Sequence, residues 1–117
     1  MTETSVPSLK VAAAQVQSHL GDTEANLASH LAVIDDARTR GVDLLLFPEL
    51  SLVGHSAGGD SLRLAQAADG PSVRRLMQAA GPMVVGFGFI ESDSSGLVYN
   101  SQIFVGDGRL MACHRKV

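Results

Sequence analysis

Glu49 is the first side chain in this sequence that is both reactive and placed where reactivity can be used. It follows the apolar run Leu44–Phe47 and Pro48. That puts a carboxylate at the carboxyl end of a predicted buried strand, the edge where open α/β sheets bind ligands. Apolar neighbours strip water from such a group and are expected to raise its pKa, which suits a general base near neutral pH. A surface carboxylate capping a loop is the plainer role, and local features alone favour it. Lys116 is the second candidate, on a predicted strand beside Arg115. An ammonium in a partly desolvated site can donate to a developing oxyanion. Lysines also stand on sheet edges, where they block unwanted pairing.

Cys113 is the single thiol, and a thiol near a base suggests nucleophilic catalysis. Strand geometry argues against that role. Alternate side chains take opposite faces, so Cys113, Arg115 and Val117 share one face and Ala112, His114 and Lys116 the other. Cys113 is expected to point away from Lys116, as a small core residue. None of the four histidines stands at zinc-ligand spacing from another His or from the cysteine, so no metal is expected. His19 reads as a turn residue and His30 as a helix residue, both facing solvent. His55, in a glycine-flanked loop after Glu49, is a candidate substrate-binding residue, and a plain loop role fits it as well. The segment Gly86–Phe89 (GFGF) lacks the GxGxxG pattern and follows a helix instead of opening one, so no phosphate-bearing cofactor is expected.

The elements that must position these groups can be read from apolar runs and their punctuation. Leu9 to Val16 is a short apolar run consistent with a buried strand. Asp22 or Thr23 can cap a helix running to about Arg40, with Leu27, Leu31 and Ile34 at helical spacing and Gly41 placed to end it. Asp43 to Phe47 is a second strand, apolar enough to be buried on both faces. Strand, helix and strand with short connections make a parallel βαβ unit. Ser51 to Gly59 reads as a loop, Asp60 to Ala68 as a short helix, and Pro71 opens another helix that Gly81 closes. Met83 to Ile90 is a third strand, Leu97 to Val105 a fourth and Arg109 to Val117 a fifth. Gly106-Asp107-Gly108 makes a hairpin turn between the last two. Parallel crossovers followed by hairpins predict a mixed sheet.

The bulk numbers narrow the function classes. With 45% hydrophobic and 18% charged residues, the 117-residue chain suits one folded domain and not a disordered one. A formal net charge of -3 offers no basis for binding nucleic acid or an anionic membrane. No apolar stretch is long enough to span a bilayer. Met1 to Ser8 is polar and reads as a flexible leader with no signal peptide. A lone cysteine fits a reducing compartment, so a cytoplasmic location is expected.

Four segments, taken in order, resemble the nitrilase superfamily of carbon–nitrogen hydrolases. They are the opening LKVAAAQV with GDTEANL, then FPELSLVGH (Phe47 to His55), then MVVGFGFIE, then VYNSQIFVGDGRLMACHRKV. The resemblance implies the N-terminal half of an αββα sandwich, with residues 9–117 forming a partial hydrolase domain. It implies hydrolysis of non-peptide, amide-type carbon–nitrogen bonds through a Glu-Lys-Cys triad. Glu49 in FPEL matches the family's general base. Lys116 in HRKV matches the lysine that steadies the tetrahedral intermediate. The nucleophilic cysteine lies on a later segment, so the chain alone is expected to be inactive. SLVGH most resembles the amidase-like and glutaminase-like branches, although these often carry an aromatic residue where His55 stands. The implied partners are a small amide substrate, the rest of the hydrolase domain or a second polypeptide, and further copies of the chain. The competing reading is a non-catalytic binding or assembly module that keeps the fold.

Overall fold

The computed structural model describes residues 6–55 and 60–116. Most of the leader expected over residues 1–8, the end of the predicted loop at 56–59, and Val117 lie outside them. The elements are β1 (Val11–Ala13), α1 (Thr23–Thr39), β2 (Leu44–Leu46), α2 (Ser61–Leu64), α3 (Pro71–Ala80), β3 (Val84–Ser92), β4 (Val98–Gly106) and β5 (Arg109–Arg115). They form the expected α/β fold with a mixed five-stranded sheet in the order β1-β2-β3-β4-β5. The first three strands are parallel and the last two pair antiparallel.

Local chemistry accounts for the helix ends. The Asp22 carboxylate accepts the Ala25 N–H at 3.1 Å, satisfying one of the donors that a helix start leaves free. Gly41 follows the other end at φ 71°, where a side chain would be strained. Pro71 opens α3 at a position that needs no N–H. The short helix after Asp60 stops at Leu64, four residues before its expected end. In the β4–β5 hairpin both Asp107 (φ 54°) and Gly108 (φ 73°) take the left-handed conformation that a tight two-residue turn demands.

The two sheet faces differ. On one, Leu45, Val85, Phe87 and Ile103 meet Leu27 and Ile34 of α1 and Val73 and Leu76 of α3 in a single apolar core. The opposite face carries Leu46, Gly86, Gly88, Asn100, Gln102, Phe104 and His114, as the strand registers require. Two expectations are corrected here. β2 is not buried on both faces, because its alternate residue Leu46 remains 40% exposed. β1 and β2 are also shorter than their apolar runs, because only three residues of each pair in register.

Candidate active site

Glu49 sits where β2 gives way to a compact turn spanning residues 48–54. Phe47 N–H donates to Gly86 O and Leu52 N–H to Gly88 O, so the chain leaving β2 is pinned to β3 on both sides of Glu49. Leu50 has φ 52°, a conformation uncommon for a residue with a side chain. The turn approaches β3 so closely that a Cβ on Gly88 would lie 2.2 Å from Leu50 N. Only glycine lets the backbone of the turn sit there.

Lys116 comes directly after β5. Its N–H donates to Asn100 O at 2.8 Å, which extends the β4–β5 ladder by one residue and fixes the direction of its side chain. The Lys116 ammonium then donates to Glu49 Oε1 at 2.9 Å, across 67 residues of sequence. Asn100 Nδ2 donates to the same oxygen at 2.9 Å. Glu49 Oε2 faces His55 Nε2 at 3.6 Å. One carboxylate oxygen is thus doubly occupied, while the other faces only the imidazole among the contacts described.

These contacts reverse one expectation. The Lys116 and Asn100 hydrogen bonds hold the Glu49 carboxyl below the ordinary carboxylate range and outweigh the opposing effect of desolvation. Leu45 and Phe47 of the apolar run are buried in the core, while Leu46 and Pro48 stay exposed and line the groove beside Glu49. In this arrangement Glu49 is ionised at neutral pH and able to accept a proton. Glu49, Lys116, Asn100, Gln102, Phe104 and His114 line an open groove of about 610 Å³ on the sheet face opposite α1 and α3. His55 lines a neighbouring depression of about 340 Å³ with Leu50, Ile90, Val98 and Tyr99, and Asn100 borders both.

Side-chain alternation along β5 is as expected. His114 and Lys116 face the groove, while Cys113 and Arg115 turn to the other face, where both contact Glu91. Cys113 is nevertheless exposed and is not a core residue. β5 is the last strand of the sheet, and all seven of its residues are exposed. Partial burial and the nearby Glu91 carboxylate both push its thiol pKa up, which disfavours the thiolate a nucleophile needs. His30 is likewise not solvent-facing. It is 1% exposed and stacks on Phe47 with ring centroids 4.1 Å apart. Its place between Leu27 and Ile34 on the inward stripe of α1 was the available signal. Asn100 was not singled out from sequence, because nothing local marks an asparagine within a strand as a partner of Glu49.

Residues 10–117 match the carbon–nitrogen hydrolase family model. The chain belongs to this family. Over 115 residues this carbon–nitrogen hydrolase chain is 35% identical to a glutamine-dependent NAD(+) synthetase from Thermotoga maritima, covering 93% of this chain and 19% of that protein. Among solved structures, the glutamine-dependent NAD+ synthetase of Acinetobacter baumannii superposes with TM-score 0.74 at 30% identity. That match covers 95% of this chain and 21% of the other. An N-terminal amidase superposes with TM-score 0.76 at 28% identity, over 92% of this chain and 28% of the amidase. The chain spans about a fifth of the length of the curated synthetases it matches. Among the described residues of the carbon–nitrogen hydrolase chain, no helix is long and apolar enough to cross a membrane. No group of three or more His, Cys, Asp and Glu among them is arranged to hold a metal ion.

Proposed function

We propose that this chain supplies the general base, Glu49, and the oxyanion-stabilising lysine, Lys116, of an amide-type carbon–nitrogen hydrolase. In this reading the cysteine nucleophile comes from a segment outside these 117 residues, and His55 contacts the substrate. The observation that carries the proposal is the 2.9 Å contact between Lys116 Nζ and Glu49 Oε1 at the end of a groove. The relatives' names support a carboxamide substrate: glutamine-dependent synthetases, and an N-terminal amidase crystallised with Gln-Gly and Asn-Glu peptides.

The chemistry follows from the two carboxylate oxygens. Glu49 Oε2 takes the thiol proton as sulfur attacks the amide carbon. Negative charge builds on the former carbonyl oxygen, where the Lys116 ammonium can donate. Collapse of the tetrahedral intermediate breaks the carbon–nitrogen bond, and Glu49 returns the proton to the departing amine. Water then attacks the thioester carbon as Glu49 takes its proton, and collapse breaks the carbon–sulfur bond, releasing the acid and returning the proton to the cysteine sulfur.

On this proposal the 117-residue chain alone releases no ammonia above background from glutamine or simple amides. Turnover by the chain alone, abolished by Cys113→Ser, would overturn it. In the completed enzyme, Cys113→Ser leaves kcat near normal. Lys116→Ala is expected to lower kcat about 10²–10³-fold, the usual cost of one lost oxyanion donor.

The sheet face opposite α1 and α3 also bears on assembly. Leu46 and Met111 on it are each at least 40% exposed. We propose that further polypeptide covers this face in the sandwich, from the remaining half of the domain or from another copy. Light scattering on the isolated chain is expected to show association. A monomer that melts cooperatively and binds no hydrophobic dye would count against that arrangement.

A further inference from the structure

We propose that His30 and Ser51 form a positioning relay that holds the Glu49 turn in its working geometry. The proposal builds on the reading of Glu49 as the base. Both residues are buried, at 1% exposure each, on the side of the turn away from the groove. His30 Nδ1 lies 2.6 Å from the Asn26 carbonyl oxygen, and Nε2 lies 2.8 Å from Ser51 Oγ. Gly88 N–H donates to Ser51 Oγ at 3.2 Å.

The direction of each bond can be assigned. A carbonyl oxygen only accepts, so Nδ1 carries the hydrogen. Burial pushes the His30 pKa down to about 4, so at neutral pH the ring is uncharged and Nε2 is an acceptor. The Ser51 hydroxyl therefore donates to Nε2 and accepts from Gly88. Every polar hydrogen in the chain Gly88–Ser51–His30–Asn26 has one destination.

The relay acts where the turn needs it. Leu50, between Glu49 and Ser51, holds φ 52°, and a side-chain-bearing residue keeps that conformation only when its surroundings enforce it. Ser51 ties the turn to β3 through Gly88 and to α1 through His30, while His30 also stacks on Phe47, two residues before Glu49. α1 thereby fixes the chain on both sides of Glu49 without touching the carboxylate.

Proton NMR at neutral pH can test this apart from catalysis. The 117 residues contain two asparagines, Asn26 and Asn100, so segmental ¹⁵N-asparagine labelling of this part within the completed enzyme resolves their side-chain amides. The Asn100 hydrogen that Glu49 accepts is expected downfield, and Glu49→Ala assigns it by removing the shift. Ser51→Ala and His30→Leu are expected to return that resonance toward the free-amide position. His30→Gln, which keeps an acceptor for Ser51, restores it at least in part. Val73→Ala, a core truncation in α3 that lowers stability without touching the relay, leaves it in place. Histidine ¹⁵N shifts should report the Nδ1–H tautomer for His30. An unmoved Asn100 resonance in Ser51→Ala, or an Nε2–H tautomer, would overturn the proposal. Should His30→Leu fail to fold, Ser51→Ala carries the test. In the completed enzyme, Ser51→Ala is expected to lower kcat by up to about 10²-fold, as for a misplaced catalytic group, with KM little changed. If Glu49→Gln proves harmless while Ser51→Ala moves the resonance, the catalytic reading fails and the positioning relay stands.

Discussion

Glu49→Gln in the completed enzyme is expected to lower kcat about 10²–10⁴-fold, the range that general-base catalysis supplies, while the fold stays intact. The amide oxygen of glutamine can still accept from Lys116 and Asn100, so the hydrogen bonds that shape the site survive. What disappears is the charge and the proton affinity. Lys116 is exposed and Glu49 partly exposed in this chain, and a pair of that kind contributes little to stability. The melting temperature should therefore barely move while turnover collapses, and KM should change less than kcat. Glu49→Asp keeps the base but withdraws it by one methylene, so it should fall between wild type and Glu49→Gln. The pH profile gives a second readout. Hydrogen bonds from Lys116 and Asn100 hold the carboxyl below its ordinary range, so the acid limb of kcat/KM should lie below that range too. Lys116→Ala should move this limb upward, because the deprotonated form loses its cation. Steady-state kinetics with amide substrates decides the matter. A Glu49→Gln enzyme within a few-fold of wild type would remove Glu49 from the role of base.

The parts of this site that sequence revealed are those governed by short-range rules. α1 was bounded to within a residue because Asp22 and Gly41 act on their own neighbours. The opposite orientations of Lys116 and Cys113 followed from strand alternation alone. The parts that stayed hidden depend on contacts between distant segments. The sign of the Glu49 pKa shift is set by Lys116 and Asn100, the latter 51 residues away. Reading the apolar run LLLFP as the carboxylate's environment gave the wrong direction, since Leu45 and Phe47 turn into the core and Glu49 meets Lys116 and Asn100. Burial of His30 escaped notice because histidine is ordinarily read as polar. Its spacing from Leu27 and Ile34 places it on the inward stripe, and a partner 21 residues later makes that burial tolerable. The strand runs also overestimated β1, because an apolar sequence can lie extended without finding a ladder partner.

Arg115→Ala is expected to destabilise the fold, because it leaves the Glu91 carboxylate buried without its cation. Glu91 lies on the helix side of β3 and is 4% exposed. Arg115 grips it with two bonds, Nε to Oε1 at 2.9 Å and Nη2 to Oε2 at 2.7 Å, and Ser101 Oγ donates to Oε1 at 2.8 Å. The guanidinium also lies 4.2 Å from the Tyr99 ring centroid, an arrangement that favours a cation. Removing Arg115 leaves a buried carboxylate with only neutral partners. Removing the charge from Glu91 instead frees a partly exposed guanidinium to turn toward water. Arg115→Ala should therefore cost more than Glu91→Gln, and this asymmetry is the distinctive expectation. Acidity should modulate it. Arg115 and Ser101 hold the Glu91 carboxyl below its ordinary range despite burial. Its contribution is thus present above the unfolded-state value and is lost as pH falls through the folded-state one. In Arg115→Ala, burial is no longer countered by a cation, the folded-state pKa rises, and stability declines as pH increases through it. The gap between the two proteins should widen from strongly acid solution to neutrality. The double variant Glu91→Leu/Arg115→Met should recover much of the loss, since a well-packed apolar pair can replace a buried ion pair at little cost. Urea unfolding across pH would measure all of this. Equal losses for Arg115→Ala and Glu91→Gln, or a gap independent of pH, would show that the pair is an ordinary surface contact. The consequence reaches the groove, because Arg115 anchors the exposed β5 from one face while its neighbour Lys116 meets Glu49 on the other.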